Sequence, residues 1–335
     1  MKPTRTFSKI RIDYDKCNLC KKCIEDCPQG VFKLKDNKVI ADANSCIGCM
    51  ICSRNCPEDA IDLTLSKIKK FYISNLCNNN CIMCFNEDKS NFEHPPFNEL
   101  INEFDDKING NEKLIVLHGY EPTLRKDFFK ILKYFGKRNL KVFFPTNGRI
   151  FKYKKYSKKI SKLKLDLDIA FTILGSSYKT HDSITHVKNS FNETYEGIKN
   201  MFSYRKENIT LKINYVILKQ NFKEIPKMVK RFYNYVDEIQ LSYLESGGHA
   251  NSIYDKLAPS FNDLEKVFKE SFKLDKKDKV KTKNIPLCHL DKKDHYRNLV
   301  FTRNNLRTKV KKCNYCDFNE DCPGYWDDYL KIYDV

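Results

Sequence analysis

The chain has 335 residues, about two domains by ordinary domain size, and is long enough to bury a sizeable core without disulfides. Hydrophobic residues at 41% and charged residues at 31% are ordinary for a globular protein and exclude a disordered chain. Lys and Arg outnumber Asp and Glu by 61 to 43, a net charge of +18, and no apolar run approaches the ~18 residues of a membrane span. The first residues lack the apolar segment of a signal peptide, so the expectation is a cytoplasmic protein with no membrane partner. Fifteen cysteines are the outlying number. An odd count in CxxC spacings fits metal ligation rather than disulfides.

From the start of the chain, residues 17–28 read CNLCKKCIEDCP and residues 46–57 read CIGCMICSRNCP. Both are C-x2-C-x2-C-x3-C-P, whereas a zinc ribbon uses separated CxxC pairs. Thiolates are soft, charged ligands suited to iron–sulfur iron. The repeat resembles the bacterial two-cluster ferredoxins. That resemblance implies that the fourth cysteine of each run crosses over. Cys17, Cys20, Cys23 and Cys56 would hold one cluster, and Cys46, Cys49, Cys52 and Cys27 the other. Between the runs, Val31–Leu34 and Lys38–Ala41 predict a hairpin around Asp36-Asn37, and the module closes near Ala60-Ile-Asp-Leu.

The third cysteine group, Cys77-Asn-Asn-Asn-Cys81-Ile-Met-Cys84, follows the strand-like Lys70-Phe-Tyr-Ile-Ser. Three thiolates on a [4Fe-4S] cube leave one iron open, as a catalytic metal site requires. Strands are predicted at Leu114–Leu117, Lys141–Phe144, Leu167–Phe171, Leu211–Ile217 and Glu238–Ser242. Periodic segments near 97–108, 125–136, 190–204 and 223–235 predict helices between them. Such alternation argues for parallel pairing, with functional loops at the C-terminal ends of the strands.

Here the sequence resembles the radical S-adenosylmethionine (SAM) enzymes. The resemblance implies a partial (β/α)6 barrel and a cluster on Cys77, Cys81 and Cys84 whose open iron chelates SAM. Met83 stands where the family flanks the adenine, with an aromatic residue more usual there. His118-Gly119-Tyr120-Glu121-Pro122-Thr123 resembles the Gly-Gly-Glu-Pro loop that holds the SAM amino group, with Tyr120 replacing the second glycine. Thr146-Asn147-Gly148 follows the third strand, and Thr172 stands where a hydroxyl meets the SAM ribose or carboxylate. Gly119, Tyr120, Glu121, Asn147 and Thr172 join Met83 as the implied SAM contacts. Taken singly, the pieces also fit turn chemistry: Asn-Gly is a turn dipeptide, and Ser190 is expected to cap a helix with Glu193 completing a capping box. His118 and His249 fall at strand ends facing the expected cavity, as proton donors or as pocket wall, and Gly247-Gly248 suggests a close backbone approach, with SAM the candidate.

At the far end, Cys288 stands apart from Cys313-Asn-Tyr-Cys316 and Cys322. Four thiolates can close a site. The pattern resembles the auxiliary-cluster extensions (SPASM/twitch type) of radical SAM enzymes, with structural zinc as the alternative. His289 and His295 are candidate ligands but are expected to face solvent. The groups account for all fifteen cysteines, which implies four [4Fe-4S] clusters. The expected domains are 1–66, an α+β two-cluster ferredoxin; 67–260, the radical SAM core; and 261–335, a small cysteine-rich extension. Residues 125–164 hold 15 Lys or Arg and one acid, Asp127. They are expected to coat the solvated faces of two barrel helices, with docking of nucleic acid or an acidic partner as the alternative.

The expected function is reductive cleavage of SAM to a 5′-deoxyadenosyl radical that abstracts hydrogen from a peptide or cofactor precursor. An external low-potential donor would supply electrons through the fused ferredoxin. A tRNA-modifying radical SAM enzyme is one alternative, and an electron-transfer protein without catalysis is another.

Overall fold

The structure, a computed structural model, describes residues 8–27, 30–42, 51–65, 67–84, 94–108, 112–245, 247–299, 307–319 and 322–335. Residues 1–69 with 104–115 form one unit, and residues 70–103 with 116–335 form a second.

In the first unit, β1 (Ser8–Ile12) pairs antiparallel with β4 (Ile61–Leu65), from Ser8 opposite Leu65 to Ile12 opposite Ile61. Between them lie α1 (Lys22–Glu25), the hairpin β2 (Phe32–Lys35) and β3 (Lys38–Ala41), and α2 (Ile51–Arg54). The hairpin turns at Asp36 and Asn37, with φ of 47° and 54°. Two successive left-handed residues match the twist of the flanking strands, and Asp and Asn tolerate that conformation best after glycine. A small core of Val31, Phe32, Val39 and Ile61 closes over Cys23 and Cys52.

An eight-stranded sheet runs in the order β5 (Lys67–Ser74), β6 (Glu112–Gly119), β7 (Lys141–Thr146), β8 (Leu167–Thr172), β9 (Ile209–Ile217), β10 (Glu238–Tyr243), β11 (Val280–Lys283) and β12 (Asn298–Leu299). Each strand neighbours the next in sequence, and the pairings from β7 through β12 are parallel. The fold is α/β, a partial barrel. Six of its strands are those expected from sequence; β11 and β12 come from the stretch expected to be extension. The connecting helices are α3 (Phe97–Lys107), α4 (Phe128–Gly136), α5 (Lys154–Ser161), α6 (Tyr178–Thr185), α7 (Ser190–Tyr204), α8 (Ile225–Phe232), α9 (Tyr254–Leu257) and α10 (Phe261–Lys273). Helix α8 buries Ile225, Met228, Val229 and Phe232, the spacing of one helical face. Each such side chain contributes roughly 1.5–3 kcal/mol on burial. The chain ends in a two-stranded ribbon, β13 (Arg307–Thr308) and β14 (Tyr325–Trp326), followed by α11 (Asp327–Leu330).

The strands alternate between a helix-covered face and a polar face. On β9, Ile213, Tyr215 and Ile217 are buried, while Lys212, Asn214 and Val216 are half-buried. At the N-terminal ends of the strands, Asp168 joins Lys141 at 2.7 Å and Lys212 at 3.3 Å, and Lys212 reaches Glu238 at 3.8 Å. Alternating charges in a partly buried row offset one another's desolvation. They give the barrel a fixed polar floor.

Candidate functional site

In the first unit, Cys17, Cys20, Cys23 and Cys56 line one pocket together with Ile12 and Val39. Burial pushes the Cys23 thiol up to about 11, and the charges of Cys17, Cys20 and Cys56 add to the effect. Crowded thiolates of this kind favour a bound cation. The two cysteine runs also repeat in their hydrogen bonds. Val31 N–H donates to Cys27 Sγ at 3.4 Å and Ala60 N–H donates to Cys56 Sγ at 3.3 Å, each four residues on. Sulfurs that accept backbone N–H groups are suited to cluster ligation. Cys52 is buried. Cys46 and Cys49 lie outside the described residues.

In the second unit, Cys77, Cys81 and Cys84 are half-buried on the loop after β5. Asn79 N–H donates to Cys77 Sγ at 3.4 Å. Three neighbouring loops fix the segment. Arg149 Nη1 donates to the Asn78 carbonyl and, at 3.0 Å, to Asn79 Oδ1, while Asn147 Nδ2 donates to Asn78 Oδ1 at 2.6 Å. The Asn80 and Ile82 amides donate to the carbonyls of Thr185 and Ile184 at the end of α6. The His249 amide donates to the Cys84 carbonyl at 3.1 Å, after Gly247 and Gly248 with φ of 156° and 55°. The backbone there does come close, and what it approaches is the cysteine loop. The exposed His249 side chain takes no part in that bond.

Glu121 lies at the centre of the adjoining strand ends and is buried. Its Oε1 accepts from Thr123 Oγ1 at 2.5 Å, Thr146 Oγ1 at 2.7 Å and Thr123 N–H at 3.2 Å, and its Oε2 from Asn147 N–H at 2.5 Å. Burial raises its pKa, and these hydrogen bonds pull it back. The carboxylate thereby ties the loop after β6 to the loop after β7. Gly119 is required beside it: at φ 139°, a Cβ would stand 2.3 Å from the Ser74 carbonyl oxygen. The next two amides, Tyr120 and Glu121, donate to Ser74 O and Leu76 O, which prolongs the β5–β6 edge toward the cysteines. Tyr120 and Cys84 both lie close enough to Tyr72 to help burial push its phenol up to about 12. The His118 ring meets Tyr72 edge-to-face at 5.7 Å. Met83 is half-buried on the loop itself, and Thr172 is half-buried at the C-terminal end of β8, opposite Asn214.

Residues 71–232 match the radical SAM superfamily, and residues 16–61 match the 4Fe-4S dicluster domain. The chain carries a radical SAM domain. Among curated proteins it resembles the AdoMet-dependent heme synthase of Methanosarcina barkeri, at 28% identity over 45% of this chain and 42% of that one. It also resembles the mycofactocin maturase MftC of Mycolicibacterium smegmatis, at 22% identity over 57% of this chain and 48% of that one. The chain therefore spans less than half the length of each. Streptococcus suis SuiB bound to S-adenosylmethionine shares the fold, with a TM-score of 0.55 at 15% identity over 80% of this chain and 75% of that one. SuiB bound to its precursor peptide SuiA gives 0.52 at 17% identity, over 65% and 49%.

Beyond the radical SAM match, the second unit holds the last four cysteines. The Leu287 and Gly324 amides donate to Cys322 Sγ at 3.3 and 3.5 Å. Cys288 Sγ lies 3.2 Å from Tyr325 Oη, whose phenol is pushed far up by burial and by Cys288, Cys313 and Cys322. Three of the four thiols therefore converge on one ring. Burial opposes ionisation of Cys288, but the adjacent His289 and the Tyr325 hydroxyl leave its pKa below the usual thiol value. These sulfurs, with backbone donors and a lowered thiol among them, suit a metal or cluster. His289 does not face solvent, contrary to expectation. It is buried, stacked on Phe261 at 5.3 Å, with Nδ1 on Glu265 and Nε2 on Tyr325. With both nitrogens engaged, it has none left for a metal. His295 Nε2 bonds to the Leu290 carbonyl at 3.2 Å.

Two further expectations change. Ser190 does not cap α7: the residue before the helix is Asn189, at φ 67°, and Ser190 Oγ donates to Asp182 Oδ1 at 2.8 Å. Asp182, from α6, also accepts the Asn189 and Phe191 amides and so caps α7 from outside. Glu193 is drawn away to Arg149 at 2.6 Å and to Lys152. The basic run also divides. Lysines of α4 and α5 such as Lys133 and Lys158 are exposed, but Arg125 is buried, donating to the carbonyls of Ile73 and Pro95. The sequence reading missed Arg125 and the lumen cluster of Asn214, Gln240 and Ser242, linked by bonds of 2.8–3.3 Å. The signal for that cluster was present: polar residues at alternate positions of parallel strands otherwise rich in apolar side chains.

Proposed function

We propose that this chain reductively cleaves SAM and uses the resulting radical to take hydrogen from a peptide or cofactor precursor. The observation that carries the reading is the cysteine loop. Cys77, Cys81 and Cys84 stand on a segment held by three neighbouring loops, beside the Glu121-centred strand ends. On this reading those three cysteines hold a [4Fe-4S] cluster with one open iron. Bound there, the cluster would deliver one electron to SAM, giving methionine and a 5′-deoxyadenosyl radical. Gly119, Tyr120, Glu121 and Asn147 would shape the loops against the SAM methionine end, while Met83 would flank its adenine and Thr172 would meet its ribose or carboxylate. Cys17, Cys20, Cys23 and Cys56 hold a second cluster, and Cys27 with Cys46, Cys49 and Cys52 a third. Cys288, Cys313, Cys316 and Cys322 form the auxiliary site of a SPASM/twitch-like extension. An external low-potential donor feeds the ferredoxin module. The maturase and heme synthase among the relatives support a peptide or cofactor precursor as substrate.

The test is SAM cleavage without added substrate. The anaerobically reconstituted chain, given dithionite and SAM, is expected to release 5′-deoxyadenosine, and Cys84→Ala none. No product from wild-type protein with its full iron complement would overturn the reading and favour an electron carrier.

A further inference from the structure

On the β13–β14 ribbon, Arg307 stands directly opposite Trp326, and its guanidinium lies 3.8 Å from the indole ring. Arg307 Nε, Nη1 and Nη2 and Trp326 Nε1 are all buried, and none has a hydrogen-bond partner among the described residues. Trp326 itself is only 2% exposed. Buried donors without acceptors are rare and costly, the more so when charged. Here several sit side by side with no acceptor between them among the described residues.

Among the described residues, the neighbouring groups do not supply the missing partner. Burial pushes the Arg307 pKa down to about 10, against the pull of Glu245, Tyr254 and Cys322. Glu245 is already paired with Lys283 at 2.9 Å. The Tyr254 hydroxyl donates to the Leu244 carbonyl at 3.4 Å, and Cys322 Sγ takes two backbone amides. Strand alternation also separates the two faces of the ribbon. Tyr325 turns to Cys288 and His289, whereas Trp326 shares its face with Arg307. That second face is the one within reach of Glu245, just past the C-terminal end of β10, whose partner Lys283 ends β11. Those strand ends form the rim of the barrel.

We propose that Arg307 and Trp326 form a carboxylate-binding site at the barrel rim that takes an acidic group of the substrate. The guanidinium offers a planar fork matched to two carboxylate oxygens, and a buried fork holds them more tightly than an exposed one. The proposal rests on the substrate reading above, because it assumes that the rim is where substrate enters.

Trp326 is the single tryptophan of the chain, so its emission reports on this site alone. The full-length reconstituted protein, without SAM and at constant ionic strength, is titrated with glutarate and with its uncharged counterpart glutaramide. Glutarate is expected to change Trp326 emission saturably, and glutaramide is not. Arg307→Gln is expected to weaken glutarate binding by at least about tenfold, the loss of one charge-assisted pair. Arg307→Lys keeps the charge without the fork and should bind with intermediate affinity; it carries the test if Arg307→Gln loses its clusters. Equal responses to the acid and the amide, unchanged affinity in the variants, or no saturable response in wild-type protein would each overturn the assignment. Neither SAM nor turnover enters the measurement, so its failure is distinct from a failure to form 5′-deoxyadenosine.

Discussion

Glu121 is where a single side chain decides the geometry of the proposed SAM site. Its two oxygens accept four hydrogen bonds from Thr123, Thr146 and Asn147, residues of two different loops. A carboxylate can accept from all of these donors at once. A carboxamide cannot, because its NH2 group would face an N–H or O–H donor. Glu121→Gln is therefore expected to cost about 1–3 kcal/mol, the penalty of a buried donor left unmade. The iron content should be unchanged, while SAM binding weakens as the two loops part. Denaturant melting and a SAM titration check both effects, and a variant as stable as wild type would refute this role. Sequence alone gives Glu121 a family place but not this task, because the Thr146 and Asn147 donors stand 25 and 26 residues away.

At the scale of elements, the cysteine loop has little regular structure of its own and borrows rigidity from its neighbours. Arg149 is the link with the most partners: Asn78 and Asn79 on one side, Glu193 of α7 on the other. Both of its ion-paired side chains are largely buried, with 14% of each exposed, so the pair escapes most solvent screening. Arg149→Ala should free residues 77–79 while the Thr185 and Ile184 contacts hold Asn80 and Ile82. The expected result is loss of about four iron per chain, one [4Fe-4S] cluster, with the ferredoxin clusters retained and the melting transition shifted only slightly. Iron and sulfide analysis reads this directly; full iron content would show that the clamp is dispensable. Six strands of the large sheet were readable in advance because apolar residues recur in short segments bounded by turn residues; β11 and β12, four and two residues long, were not. Nor was the capping. Ser190 followed by Glu193 satisfies the local pattern, yet Asp182 and Arg149 offer each side chain a charged partner from another element, and tertiary contacts outweigh local caps.

Across the whole molecule, cysteine spacing carried most of what the sequence disclosed. A spacing reports how the chain wraps a cluster, and Cys17, Cys20, Cys23 and Cys56 line one pocket. Net charge disclosed much less, because one count of basic residues covers both exposed helix faces and inward partners such as the buried Arg125 and the half-buried Lys141. The fusion of two cluster-bearing modules in one chain leads to a kinetic prediction. Tethering replaces a bimolecular encounter by an effective concentration that is in the millimolar range for a short linker. If the ferredoxin module relays electrons, Cys23→Ser should slow SAM cleavage by about tenfold or more when a low-potential protein donor is the reductant. Dithionite, a small reductant that would reduce the cluster proposed on Cys77, Cys81 and Cys84 without a relay, should leave the same variant within about twofold of wild type. Cys23 suits the experiment because it is buried in the first unit, remote in sequence from the Cys77–Cys84 loop. Equal loss with both reductants would mean that Cys23 supports folding rather than electron supply. No loss with either would leave the module without a part in the reaction.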